Sequence, residues 1–171
     1  QRRRYARHLH NKGVALMPGK IDARLKELGI TLPTPATPVA NYVPFVRTGN
    51  LVVVSGQVTY QDGKLQYIGK LGREYGIEDG QKAARLCALN IIAHVKNACG
   101  GDLDKVKRCV RVGGFVNAVP DFTDQPKVVN GASDLIVQVF GEAGKHARAA
   151  VGVGSLPAGV AVEVEAMFEV A

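Results

Sequence analysis

The chain has 171 residues, 46% apolar and 22% charged, the proportions of one globular domain with a sizeable core. Its formal charge of +7 suggests nucleic acid, but residues 1–16 hold Arg2, Arg3, Arg4, Arg7 and Lys12 without an acid, and the other 155 residues carry only +2. That balance leaves no cationic stripe for a polyanion, and no apolar run approaches the ~20 residues that cross a bilayer, so neither nucleic acid nor a membrane is expected as a partner.

The basic tail has two readings: the remnant of an organelle transit segment, or a vector-derived leader with Met17 as the natural start. The first implies a mitochondrial location and the second a cytoplasmic one. His8 and His10 alone make a poor metal site. Residues 17–38 then read as an N-terminal extension: a short amphipathic helix over 19–29, with Ile21, Leu25 and Leu28 on one face, and a linker stiffened by Pro33, Pro35 and Pro38. The compact domain is expected over 39–171. It opens with strands at 41–47 and 51–57 joined through Thr48-Gly49-Asn50, and Asp62-Gly63 marks a second tight turn. A helix over 78–99 follows from the spacing of Ala84, Cys87, Ala88, Ile91, Val95 and Ala98, and Gly100-Gly101 ends it. A long strand over 105–118 carries Gly113-Gly114, a signal for a bulge or a close backbone approach. A second helix spans about 126–141, and strands at 147–153 and 160–170 show a period of two. The order β-β-(β)-α-β-α-β-β implies an α+β fold of two layers, with the helices on one face of a mixed sheet. The odd set Cys87, Cys99 and Cys109, with no CxxC, points to reduced thiols rather than disulfides or zinc.

Several positions could carry chemistry. Arg148 stands among small neighbours, Ala150 and Gly152 on its own face, where a guanidinium could clamp a carboxylate in bidentate fashion. A structural ion pair with a sheet glutamate is the other reading. Glu163 and Glu165 sit on what alternation suggests is the matching face of a neighbouring strand, where a carboxylate could position water or shuttle a proton, or simply be solvated. Ser55-Gly56 ends an apolar strand, and could be a close-approach site with a hydroxyl donor or a plain strand end. Tyr42 could wall a pocket or be half-buried, and Asn130 could face a ligand or solvent. His94 and His146 lack companions at metal-binding spacing. Gly152-Val153-Gly154 precedes a strand rather than a helix, which removes a dinucleotide reading.

Taken together, NYVPFVRTGNLVVVSGQV, the strand ending NAVPDF, Val129-Asn130 and the closing RAAVGVGSLPAGVAVEVEAMFEV resemble the Rid/YjgF family, also called the endoribonuclease L-PSP family. The likeness covers about residues 39–171, and its most specific part is an arginine, an LP turn eight residues later and then VEVEA. It implies a chorismate-mutase-like subunit, a homotrimer whose sheets form a central barrel, and ligand clefts between subunits. It also implies hydrolysis of reactive enamines and imines of amino acids to 2-keto acids and ammonia, with no metal or organic cofactor. By position, Arg148 is similar to the family's carboxylate-binding arginine, Glu163 to its water-associated glutamate, and Tyr42, Ser55, Gly56 and Asn130 to other cleft residues. Ala150 stands where many members have cysteine, which enlarges the pocket. The longer 60–77 stretch and the N-terminal helix resemble a divergent subgroup, so a non-catalytic trimer that binds small carboxylates is a second expectation. The third is the ribonuclease and translation-inhibitor activity attributed to some relatives, which the balanced core charge and scattered aromatics support least.

Overall fold

The computed structural model describes residues 19–171. The tail with His8 and His10, and the transit or leader readings attached to it, lie outside the described residues.

Alternation along the strands decides the architecture. In the last strand, β7 (Val162–Val170), Val162, Val164, Ala166, Phe168 and Val170 are buried, while Glu163, Glu165, Met167 and Glu169 are half-exposed on the other side. One face of the sheet is therefore dry and must be covered. The cover is two helices, α2 (Ile77–Ala98) and α3 (Gln125–Phe140), whose apolar stripes contribute Ile91, Val95, Leu135 and Ile136 to the core. The sheet they cover also contains β1 (Phe45–Thr48), β2 (Leu51–Gln57), β5 (Val106–Asn117) and β6 (Ala147–Val153), in the order β1-β2-β7-β5-β6. All neighbours are antiparallel except β5 and β6, which run parallel. The mixed sheet with helices on one face agrees with the sequence reading.

Local chemistry fixes the details. Asp62 and Gly63 both have positive φ, 50° and 79°, and turn a small hairpin of β3 (Tyr60–Gln61) and β4 (Lys64–Leu65). Beyond it the 66–76 stretch is pinned by Leu71, which is fully buried and bridges to Ala118. Gly113-Gly114 does not form a bulge; the register shifts of β5 lie earlier, at Val106/Arg108 and Cys109/Arg111. The glycine pair serves close approach, since a Cβ on Gly114 would lie 2.5 Å from Val129 and push α3 off the sheet. The first strand starts at Phe45 rather than residue 41, because Pro44 precedes it and cannot donate to a ladder.

The N-terminal helix, α1 (Lys20–Glu27), packs on the domain rather than standing apart from it. Leu25 joins the core, and Asp22 pairs with Lys96 at 2.9 Å. Its first turn has no side-chain cap of its own. Asp104 supplies one from more than eighty residues away, accepting from Lys20 N–H and Ile21 N–H, each at 2.8 Å. Those two backbone hydrogen bonds, Ile21's first, hold the Asp104 carboxyl below the usual carboxylate range.

Two expectations follow. Asp104→Ala should lower the unfolding free energy by about 1 kcal/mol, the value of a helix cap, and expose Lys20, Arg24 and Lys26 to trypsin. Unchanged urea midpoints and digestion would refute the cap. The second concerns His94, 3% exposed, whose two ring nitrogens have no hydrogen-bond partner among the described residues. Burial lowers its pKa, so the folded state favours neutral imidazole. The stability this gives is fully present above the ordinary histidine value of about 6.5 and is lost as pH falls through the lowered folded value. Thermal midpoints should drop below about pH 6.5 in the wild type and less steeply in His94→Leu.

Candidate functional site

Arg148 lies on β6, the edge strand, beside Val112 of β5, and Val112 is fully buried under the helices. The period of two therefore turns Arg148 toward the helical layer, at the rim where the sheet ends. There α3 receives it. Nη1 donates to Asn130 Oδ1 at 2.9 Å and to Ser133 Oγ at 3.1 Å, and Nη2 donates to the Pro126 carbonyl at 3.3 Å. Asn130 and Ser133 are three residues apart and so share a helix face. All three acceptors are neutral, and Arg148 has no carboxylate partner among the described residues. The structural ion pair is thus not what holds it. Of its five N–H donors, three are occupied, which leaves Nε–H and one Nη2–H on adjacent nitrogens of an exposed side chain. Ala150 follows on the same face, partly packed against the core.

Glu163 does not share that face. It lies opposite Phe115, on the open side of the sheet, while Arg148 is in register with Val112 on the covered side. β5 runs between their strands, so two strand spacings, ~9.5 Å, and the thickness of the sheet separate them within one subunit. The expectation that they occupy matching faces is corrected. Strand alternation gives each strand's two faces but not which face of one strand joins which face of the next.

The open side gathers the remaining residues. Glu163 lies against Gly56, where a Cβ would meet its Oε1, so a larger residue there would displace the carboxylate. Burial pushes the Glu163 carboxyl above its ordinary value, and the nearby Glu165 charge adds to the rise. Glu165 itself is paired with Arg111 at 3.4 Å. Ser55 Oγ donates to the Val43 carbonyl at 2.7 Å, so it secures the entry to β1 and offers a ligand only its lone pairs. Tyr42, 58% exposed, borders a shallow cleft of about 140 Å³ with Pro44, Gly56 and Tyr60. Tyr42, Ser55, Gly56 and Glu163 thus cluster around the end of β2, and Arg148, Asn130 and Ala150 around β6 and α3.

Sequence reasoning missed Ser133, and it weighed His146 only as a metal ligand. The one available signal was Asn130-x-x-Ser133 on a helix ahead of the arginine strand, but the turn that returns His146 to Ser133 leaves no periodic trace. The three cysteines are free and buried, as expected. Burial raises the Cys87 thiol far out of its usual range and that of Cys109 to about 12, so neither is a nucleophile. Among the described residues no three His, Cys, Asp or Glu side chains group as a metal site would require.

Comparison with known proteins bears on the family and the fold. Residues 22–167 match the family described as "YjgF/chorismate mutase-like, putative endoribonuclease". Protein TCP17 of Trypanosoma cruzi is 50% identical over 152 residues, 88% of this chain and 94% of that protein. Among solved structures, Atu1372 of Agrobacterium tumefaciens is 51% identical, with a TM-score of 0.83 over 88% of this chain and 92% of its own. A candidate endoribonuclease of Shewanella oneidensis is 37% identical, with a TM-score of 0.84 over 88% and 99%. With the family pattern spanning nearly the whole described chain and the same fold in these relatives, the chain belongs to the YjgF/chorismate mutase-like family.

Proposed function

We propose that the chain hydrolyses small imino acids, or their enamine tautomers, to 2-keto acids and ammonia, at clefts between the subunits of a homotrimer. The observation that carries this reading is Arg148: a guanidinium oriented by neutral acceptors, free of any carboxylate among the described residues, with two donors left at the rim of the sheet. Its complement is a small planar anion such as a carboxylate.

Hydrolysis needs a second group, and Glu163 is suited to it. Partial burial makes its carboxyl a better proton carrier near neutrality than an exposed one. As water attacks the imine carbon, Glu163 takes a proton from it and returns a proton to the nitrogen. The carbinolamine then expels ammonia and leaves a carbonyl. Arg148 holds the substrate carboxylate and fixes the carbon in range of that water. One subunit cannot do this alone, because its own Arg148 and Glu163 are on opposite faces. A second copy that brings its open face against the β6 rim would complete the pair. The open side supports such packing: Val46, Val53 and Val151 are 53%, 38% and 44% exposed, apolar surface that a trimer with inward-turned sheets would cover.

A carboxylate-binding trimer without turnover needs only the Arg148 half and is the second reading. The endoribonuclease activity in the family's description has less support, since Tyr42 is the one Phe or Tyr more than half exposed among the described residues and single-stranded RNA binding uses several stacking rings.

The test generates imino acids in situ and follows 2-keto acid formation. Arg148→Ala should lower kcat/KM about 100-fold, the loss of two charge-assisted hydrogen bonds. Glu163→Gln should lower kcat by about 100-fold or more. Arg148→Ala and Glu163→Gln subunits co-assembled in equal amounts should recover about a quarter of wild-type activity, the statistical share of clefts with both residues intact; no recovery would exclude a shared site. No acceleration by wild type over several imino acids would sink the deaminase reading. Stability gives a separate check. A raised carboxyl pKa favours the protonated folded form, so that contribution is complete below the ordinary carboxylate value and lost as pH rises through the folded one. Glu163→Gln should therefore unfold at a higher temperature than wild type near pH 8.

A further inference from the structure

The hydrogen bonds that hold Arg148 continue past the groups touching it. Ser133 Oγ, which accepts from Arg148 Nη1, also lies 2.9 Å from His146 Nε2, and His146 Nδ1 lies 2.6 Å from the Gly144 carbonyl oxygen. A backbone carbonyl can only accept, so Nδ1 must carry a hydrogen. In the neutral ring Nε2 is then bare and is itself an acceptor. The single hydroxyl proton of Ser133 must go to Nε2, which leaves the serine lone pairs for Arg148. Each polarity follows from the one before: the carbonyl sets the tautomer, the tautomer sets the hydroxyl, and the hydroxyl becomes an acceptor for the guanidinium.

The start of this chain is rigid. Gly144 is buried against the end of α3, and a Cβ there would lie 2.5 Å from the Ile136 carbonyl oxygen and 2.9 Å from Val137 Cα. Its carbonyl is therefore a fixed reference point, and α3 fixes Ser133. His146 is two residues from Arg148 on the same strand approach, so ring and guanidinium reach the same serine from the same side of the chain.

We propose that His146 is a positioning residue for Arg148, acting through Ser133: it keeps the Ser133 hydroxyl an acceptor and so holds the guanidinium with its two free donors aimed outward. Without the ring, the hydroxyl proton is free to swing toward Arg148, where a donor faces a cation, and the arginine loses one of its three supports. The proposal rests on reading Arg148 as the carboxylate anchor, so its test separates the two.

The probe is pyruvate, a small 2-keto carboxylate. Its Kd is measured by NMR titration of the full chain, together with the guanidinium resonance of Arg148. Ser133→Ala and His146→Phe should each weaken pyruvate about 3- to 10-fold, the effect of one hydrogen bond, and should speed rotation of the Arg148 guanidinium. Ser133→Thr, which keeps a hydroxyl, should restore both. The double variant should be no weaker than either single one, since both act through one bond. In the imine assay KM should rise while kcat changes less than about twofold. His146→Gln replaces His146→Phe if the latter lowers the thermal midpoint. Additive losses in the double variant, or wild-type pyruvate affinity and guanidinium dynamics in both single variants, would overturn the positioning role. If in those cases Arg148→Ala still abolishes binding, the anchor reading survives; if Arg148→Ala binds pyruvate like wild type, the anchor reading itself fails.

Discussion

The parallel pairing of β5 with β6 is the constraint on which the rest of the site depends. Parallel neighbours cannot be joined by a tight turn, so the chain must cross the sheet between them. Here α3 makes the crossing, and it lies over the rim that β6 forms. An edge strand has no neighbour beyond it, so a side chain on its covered face reaches the margin of the helical layer instead of the core. Arg148 occupies that position. The same geometry lets a charged residue stand beside Val112, which is fully buried, without being buried itself.

What α3 offers the guanidinium is polar but uncharged. Three neutral acceptors orient it and spend three of its donors without neutralising its charge. A carboxylate in their place would have formed an ordinary ion pair and neutralised that charge. On the other side of the sheet the pattern is reversed: Glu163 is partly buried and kept short of compensation, with Glu165 already committed to Arg111. Each half holds an unbalanced group of opposite sign, and one subunit keeps the halves apart. The alternation of side chains across a single sheet thus places the two groups on opposite faces of one subunit.

The stabilising contacts share one feature, the distance in sequence between their partners. Asp104 caps a helix more than eighty residues before it. Leu71 is held by Ala118, and Gly114 accommodates Val129. The first two contacts fasten α1 and the 66–76 stretch, and the third lets α3 lie close on the sheet.

The elements themselves were legible in the sequence, because period and punctuation are local properties. The alternation of VAVEVEAMFEV, the helical spacing from Ala84 to Ala98 and Asp62-Gly63 all act within a few residues, and the last strand, the long helix and the tight turn formed where they indicated, while the first strand began four residues later than expected. Arg148, Ser55, Gly56 and Glu163 were also legible as residues of interest, since unusual residue types in small or apolar surroundings stand out in one dimension. What the sequence could not supply was the face. Whether Arg148 and Glu163 look at each other depends on the register of two strands against a third, and that register is set by burial of the whole sheet under α2 and α3. Nor could it supply the partner of His146, the cap of α1 or the isolation of His94, which arise where the chain returns upon itself. Local chemistry determines which structures a segment can form; only the folded sheet, where a shift of one residue exchanges its two faces, decides what each side chain meets.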